Sequence, residues 1–183
     1  MADTFIFLKI HGLEIEGEST AKGYEAQIEV ESVDWRMNVH SAKETGQATK
    51  VEYHHVTMEK FVDSSTCTLL EWAKSRTPIK EKESGNEPGA LAIPQMTFTY
   101  VDMVLEKDGS NKAVPVAEFM LHFCYIENIS FSVSDAGKGS VKLGETVTVR
   151  YDKMDMVYHP SGKDRLTRGT AQTFIGFSPR KFA

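Results

Sequence analysis

The chain has 183 residues, 40% of them hydrophobic, and a formal net charge of −5. That size suits one domain with a real core, and the negative total argues against general nucleic-acid binding, which draws on a basic surface. No apolar run approaches the ~18–20 residues of a membrane helix, and no basic start leads into an apolar stretch and a small-residue cleavage site. The expectation is a soluble protein made in the cytoplasm, with no cleaved leader and no membrane insertion.

The N-terminus reads at once as a strand, Phe5 to Ile10, closed by His11-Gly12. A loop rich in glycine and charge follows, Glu16 to Gly23. From Tyr24 to Val39 the apolar phase changes partway: Ile28 and Val30 are even, whereas Val33, Trp35, Met37 and Val39 are odd. One extra residue near Glu31–Ser32 would do this, which is a β-bulge. His40 to Lys50 is polar and contains Gly46, so it reads as a protruding hairpin connection. Val51 to Val62 returns as a strand.

The one helix is expected from about Thr66 to Lys74, with Thr66, Ser64 or Ser65 as its N-cap. Leu69, Leu70 and Ala73 form its apolar stripe, and Thr77-Pro78 stops the run. Lys80 to Ala92 reads as an exposed loop. Met96 to Lys107 is a strand that turns at Asp108-Gly109.

The most diagnostic stretch runs from Phe119 to Ser134, inside a strand starting near Val116. Phe119, Leu121, Phe123, Tyr125, Ile129, Phe131 and Val133 share one parity. Met120, His122, Asn128, Ser130, Ser132 and Ser134 hold the other, with Cys124 and Ile126 as apolar exceptions. A period of two puts each set on its own face, the apolar one toward a core. So long a strand belongs to a barrel or a strongly coiled sheet. Asp135 to Gly139 makes the next turn, and Val141 to Tyr158 alternates again with a second phase change near Asp152–Lys153. After Pro160 the tail is mixed and locally basic, through Lys163, Arg165, Arg168, Arg180 and Lys181; it reads as a solvated tail or a subunit contact.

Catalytic grammar is absent. No GxSxG elbow appears, Ser161-Gly162-Lys163-Asp164 lacks the rest of a phosphate loop, and Gly137, Gly139 and Gly144 do not form GxGxxG. His54-His55 are adjacent on a strand, so they point to opposite faces and cannot chelate one metal. Cys67 and Cys124, the only cysteines, fit a reducing compartment at least as well as a disulfide; Cys124 reads as a small buried hydrophobe. Glu29 and Glu31 share a strand face more cheaply explained by solvation than by acid–base chemistry. The expectation is neither an enzyme nor a metal or cofactor protein, but one acting through its surface and its assembly.

The order of elements resembles a specific family. Phe7-Leu8-Lys9-Ile10 with Gly12, then Gly17-Glu18-Ser19-Thr20, Gly23 and Ile28-Glu29-Val30 running to Trp35 resemble the start of the haemolysin-coregulated protein family, Hcp. Val56 to Phe61, Val62-Asp63 and Thr66-x-x-Leu69-Leu70-Glu71 resemble that family's strand leading into its single helix, and Val147 to Pro160 its closing strand. The loop from Lys80 to Ile93 and the tail after Pro160 depart from the pattern.

The resemblance implies a mainly β fold: a compact barrel of two strongly coiled, mostly antiparallel sheets flanked by one short helix. It implies a barrel domain over residues 1–160 and a C-terminal extension, 161–183, packing on the barrel or on a neighbouring subunit. It further implies a structural tube subunit of bacterial type VI secretion, without catalytic, metal or cofactor residues. Six copies would form a ring, and rings would stack into a tube inside a contractile sheath, under a spike protein, with effector proteins carried in the lumen. The tube would leave the cell without a cleaved signal peptide.

Residue by residue, the resemblance makes Lys43, Glu44, Gln47 and Thr49 in the His40–Lys50 loop candidates for subunit contact. Asn128 and Ser130 become candidates for a surface facing the lumen or a neighbour. A phage-type tail tube would share this geometry. A ligand-binding barrel is the competing class and would be monomeric with an interior cavity.

Overall fold

A computed structural model describes residues 4–40, 50–75, 92–105, 111–135, 141–159 and 171–175. In chain order the strands are β1 (Thr4–His11), β2 (Ile28–Val30), β3 (Ser32–Asp34), β4 (Met37–His40), β5 (Lys50–Tyr53) and β6 (Val56–Phe61). Helix α1 (Ser65–Ser75) follows, then β7 (Ile93–Leu105), β8 (Asn111–Asp135), β9 (Val141–Arg150), β10 (Lys153–Tyr158) and β11 (Ala171–Ile175). All the pairings are antiparallel. The mainly β class with one short helix is as expected, and the helix begins and ends within a residue of the range read from sequence.

Strands pair along the path β2-β1-β7-β8-β9-β6-β3, with β10 joining β8 and β11 joining β10. Among the described residues no sheet closes on itself by continuous pairing. The two end strands of the path, β2 and β3, are nevertheless one run of chain parted at Glu31. The phase change read there is real: β2 pairs with β1 and β3 with β6, while the Glu31 N–H donates to the Glu59 carbonyl at 2.8 Å. The core lies between the layers. Leu8 and Ile10 of β1, Met96 and Phe98 of β7, Leu121 of β8, Val56 and Met58 of β6, Val147 and Val149 of β9 and Met154 of β10 are all buried in it. Helix α1 adds Leu69, fully buried, with Trp72 and Ala73 packed against the same cluster.

Strand β8 spans 25 residues and belongs to both layers. Its first half pairs with β7 and β10, and its second half with β9. Two features change its phase. Phe123 has a positive φ of 53°, rare for a bulky residue, and Glu127 is an extra residue where the register shifts between Ile126↔Val149 and Asn128↔Thr148. The buried set therefore passes from Leu121 to Cys124 and Ile126, the two apparent exceptions. The uniform apolar face expected from Phe119 to Val133 is corrected: the flip exposes Phe123, Glu127 restores the odd parity from Ile129, and Phe131 and Val133 keep that parity but are exposed. A third irregularity frees the Val116 carbonyl, which accepts from the His159 N–H at 2.8 Å.

Helix α1 is capped by Asp63, not by Thr66, Ser64 or Ser65. The Asp63 carboxylate accepts the Ser65 N–H at 3.0 Å, and the Thr66 hydroxyl accepts the Asp63 N–H at 3.2 Å. This reciprocal arrangement is a capping box with threonine at its third position. The loop from Gly12 to Gln27 folds back on the helix start, where the Ser64 N–H donates to Glu18 at 3.0 Å and its hydroxyl to the Glu16 carbonyl at 3.1 Å.

Candidate assembly interface

The second layer, β3-β6-β9 with the far half of β8, has two contrasting faces. On one, Thr57, Thr148 and Asn128 lie in one cross-strand row, and Glu59, Thr146 and Ser130 in the next. Ser32 extends the second row and donates to Glu59 at 2.9 Å. Asn128 and Ser130 are exposed on this face. It is a wall of short hydroxyl and amide groups, with no large apolar side chain in those two rows.

The opposite face starts in the core and runs out of it. Val56 and Val149 lie in the first row, Met58, Val147 and Ile129 in the next, and Lys60, Glu145 and Phe131 in the third. Beyond these, Val133 pairs with Leu143, and the Val62 N–H donates to the Leu143 carbonyl at 3.0 Å. Val141 follows in the same phase. Past the third row the body no longer covers the sheet: Phe131 is 48% exposed, Val133 70% and Val141 68%. A stripe with the parity of a core, left bare, calls for a partner.

A second apolar face lies on the β4–β5 hairpin. Met37 opposes Tyr53 and Val39 opposes Val51, and all four side chains are exposed. Lys43, Glu44, Gln47 and Thr49 belong to the loop this hairpin carries and lie outside the described residues.

Where the core gives way to the bare stripe sits a buried ionic cluster. Lys60 and Glu145 face each other across β6 and β9, both side chains fully buried, with Nζ 2.9 Å from Oε1. The ammonium donates to Asp63 at 2.7 Å, to the Phe61 carbonyl at 2.8 Å and to Thr66 at 3.3 Å. Neither Glu145 oxygen accepts a hydrogen bond among the described residues, so Lys60 holds that carboxylate by charge alone. Burial strips both ions of water, and the arrangement stands only while they remain paired. The signal was in the sequence: Lys60 shares the inward parity of Val56 and Met58, and Glu145 that of Val147 and Val149.

Among the described residues the histidines make separate contacts. His54 and His55 fall between β5 and β6 and part company: His54 Nε2 lies 2.9 Å from Asn38 Nδ2, and His55 Nδ1 2.8 Å from Glu127. His122 meets Asp155 at 2.8 Å, beside Lys153. Among the described residues no three metal-ligating side chains converge, and no helix is long and apolar enough to cross a membrane. Burial pushes the Cys124 thiol up to about 12, which leaves it protonated and inert; Cys67 is exposed.

A cavity of about 140 Å³ lies between the layers, lined by Trp35, Val56, Phe98, Tyr100, Phe119 and Met154 among others. Burial raises the Tyr100 phenol above its ordinary range.

Residues 7–83 match the family described as "Type VI secretion system effector, Hcp". Over that span the chain is similar to Hcp. Hcp1 from Salmonella typhimurium is 22% identical with a TM-score of 0.66, covering 97% of this chain and 96% of its own. The Hcp1 protein from E. coli EAEC 042 is 16% identical at 0.65, covering 95% and 99%. A type VI secretion system effector from Yersinia pestis is 15% identical at 0.60, covering 93% and 98%. Across nearly its whole length the chain therefore has the Hcp fold, although at these identities the solved structures speak for the fold alone. No curated protein matches it by sequence.

Proposed function

We propose that this Hcp-family chain is the tube subunit of a bacterial type VI secretion system, a structural protein and not an enzyme. Six copies close into a ring, and rings stack into a tube that the contractile sheath expels behind a spike protein, with effector proteins carried in the lumen. The subunit is made in the cytoplasm and leaves without a cleaved leader. Residues 1–160 act as one barrel, closed where the run through Glu31 changes partners, and residues 161–183 as an extension of it.

The observation that carries this reading is the apolar stripe Phe131, Val133, Val141 and Leu143, which has core parity and is exposed among the described residues. The β4–β5 face is a second, different apolar patch, and two unlike patches on one chain suit head-to-tail contacts that close by rotation. Lys43, Glu44, Gln47 and Thr49, in the chain between β4 and β5, then contact adjacent subunits or rings. The polar wall bearing Asn128 and Ser130 faces the lumen or a neighbour. Electron microscopy of the purified protein tests this, since the reading requires annular particles with a central hole.

The inter-layer cavity lined by described residues, at about 140 Å³, is smaller than the roughly 300–1,000 Å³ typical of small-molecule pockets. The family match over residues 7–83 favours a secretion tube over a phage-type tail tube.

A further inference from the structure

The Lys60 cluster has no part in chemistry, yet two fully buried opposite charges and a third, nearly buried carboxylate occupy one spot in a small domain. Its position gives it a use. The Asp63 carboxylate caps helix α1, Glu145 sits on β9 in the last covered row before the bare stripe, and Lys60 on β6 binds both. Through Thr66, which also bonds the ammonium, the first turn of the helix is tied to the same point. Among the described residues, Phe131, Val133 and Val141 at the outer ends of β8 and β9 are exposed. There the sheet meets the body through this ammonium, beside the Val62 N–H bond to the Leu143 carbonyl.

Resting on the ring reading above, we propose that Lys60 is a positioning residue for assembly. Held between Asp63 and Glu145, it sets the outer end of the β8–β9 sheet against helix α1 in the attitude that a second copy of the chain recognises. Apolar packing alone would hold the row loosely, because aliphatic contacts have little directional preference. A buried ion pair instead admits one arrangement and penalises the rest, a role in specificity more than in stability.

Lys60→Met keeps the length of the side chain and removes the charge; Glu145→Gln is the gentler change and leaves Lys60 bonded to Asp63. Sedimentation across a protein dilution series, circular dichroism and hydrogen exchange are read together on the full chain. Lys60→Met is expected to keep its β spectrum, to need about tenfold more protein to assemble, and to exchange amides faster across 141–145 than across β1 and β7. Glu145→Gln is expected to shift assembly in the same direction by a smaller factor. A folded Lys60→Met that assembles at the wild-type concentration overturns the proposal. If that variant does not fold, Glu145→Gln decides, and unchanged assembly in it is equally fatal. A uniform rise in exchange, tracking a general loss of stability, also overturns it. A wild-type chain that stays monomeric defeats the ring reading itself, and is recognised before any variant is compared.

Discussion

Trp35 donates its indole N–H to the Tyr151 hydroxyl across 2.6 Å, and Tyr151 donates in turn to the His54 carbonyl at 3.1 Å. This relay joins the segment after β3, the segment before β6 and the break between β9 and β10, three places where a ladder stops. Tyr151 is buried, and burial raises its phenol above the ordinary range, opposed in part by the Trp35 hydrogen bond. Tyr151→Phe leaves an indole N–H and a carbonyl without their partner. The expected loss is about 1–3 kcal/mol, measured by urea unfolding at neutral pH.

Stability is expected to fall on the alkaline side. The Cys124 thiol ionises near 9.0 in an unfolded chain but stays protonated to about 12 in the fold. Between those values the native state holds the extra proton, so stability is complete below pH 9 and declines as pH rises toward 12. Tyr24, Tyr100 and Tyr151, all raised, act in the same direction at higher pH. Unfolding free energies between pH 8 and 11 should show this decline, and Cys124→Ala should reduce its slope by up to about 1.4 kcal/mol per pH unit. A thiol reagent should titrate Cys67 in the native subunit and reach Cys124 only in denaturant.

Gly17 tolerates no side chain. A Cβ there would stand 2.4 Å from the Gln27 carbonyl oxygen and 2.5 Å from Ile28 Cα, both backbone atoms. The close approach lets the Gly17 N–H reach the Ala26 carbonyl at 2.9 Å and fixes the loop on the helix start. Gly17→Ala must push that loop outward, and a destabilisation of about 1–3 kcal/mol is expected, read as a lowered Tm. Gly23→Ala meets no atom within 4 Å but must hold a φ of 90°, so its cost comes from backbone strain and should be about 1 kcal/mol.

Val133→Asp separates folding from assembly. The side chain is 70% exposed in the subunit, so an aspartate there should change monomer stability by about 0.5 kcal/mol or less. In a ring it would bury an unpaired carboxylate at a contact, which should weaken association by about a hundredfold or more. Dilution experiments on wild type and variant check both halves.

Local rules carried the sequence reading a long way. The strand periods, the helix and the phase change at Glu31 are legible because each is set by neighbours within a few residues. The path of β8 could not. One left-handed residue, Phe123, and one extra residue, Glu127, reverse the phase, and neither leaves a glycine or a turn dipeptide as a marker. Parity places Phe131 and Val133 on the core face because it tells which face a residue shares, not where the covering layer ends. Three hydroxyl residues follow Asp63 and compete with it as caps in the sequence, and only the reciprocal bond from Thr66 separates the candidates. Lys60 and Glu145 were legible as charges on inward parity, and pairing them needed only the register of β6 on β9.

The central claim is that this subunit covers its bare stripe with a second copy of itself. Light scattering of the purified chain over a range of concentrations tests it most directly. The account predicts a particle of six times the 20.5 kDa subunit, broken down by Val133→Asp to folded monomers. A wild-type mass of 20.5 kDa at every concentration, unaltered by that substitution, would contradict it.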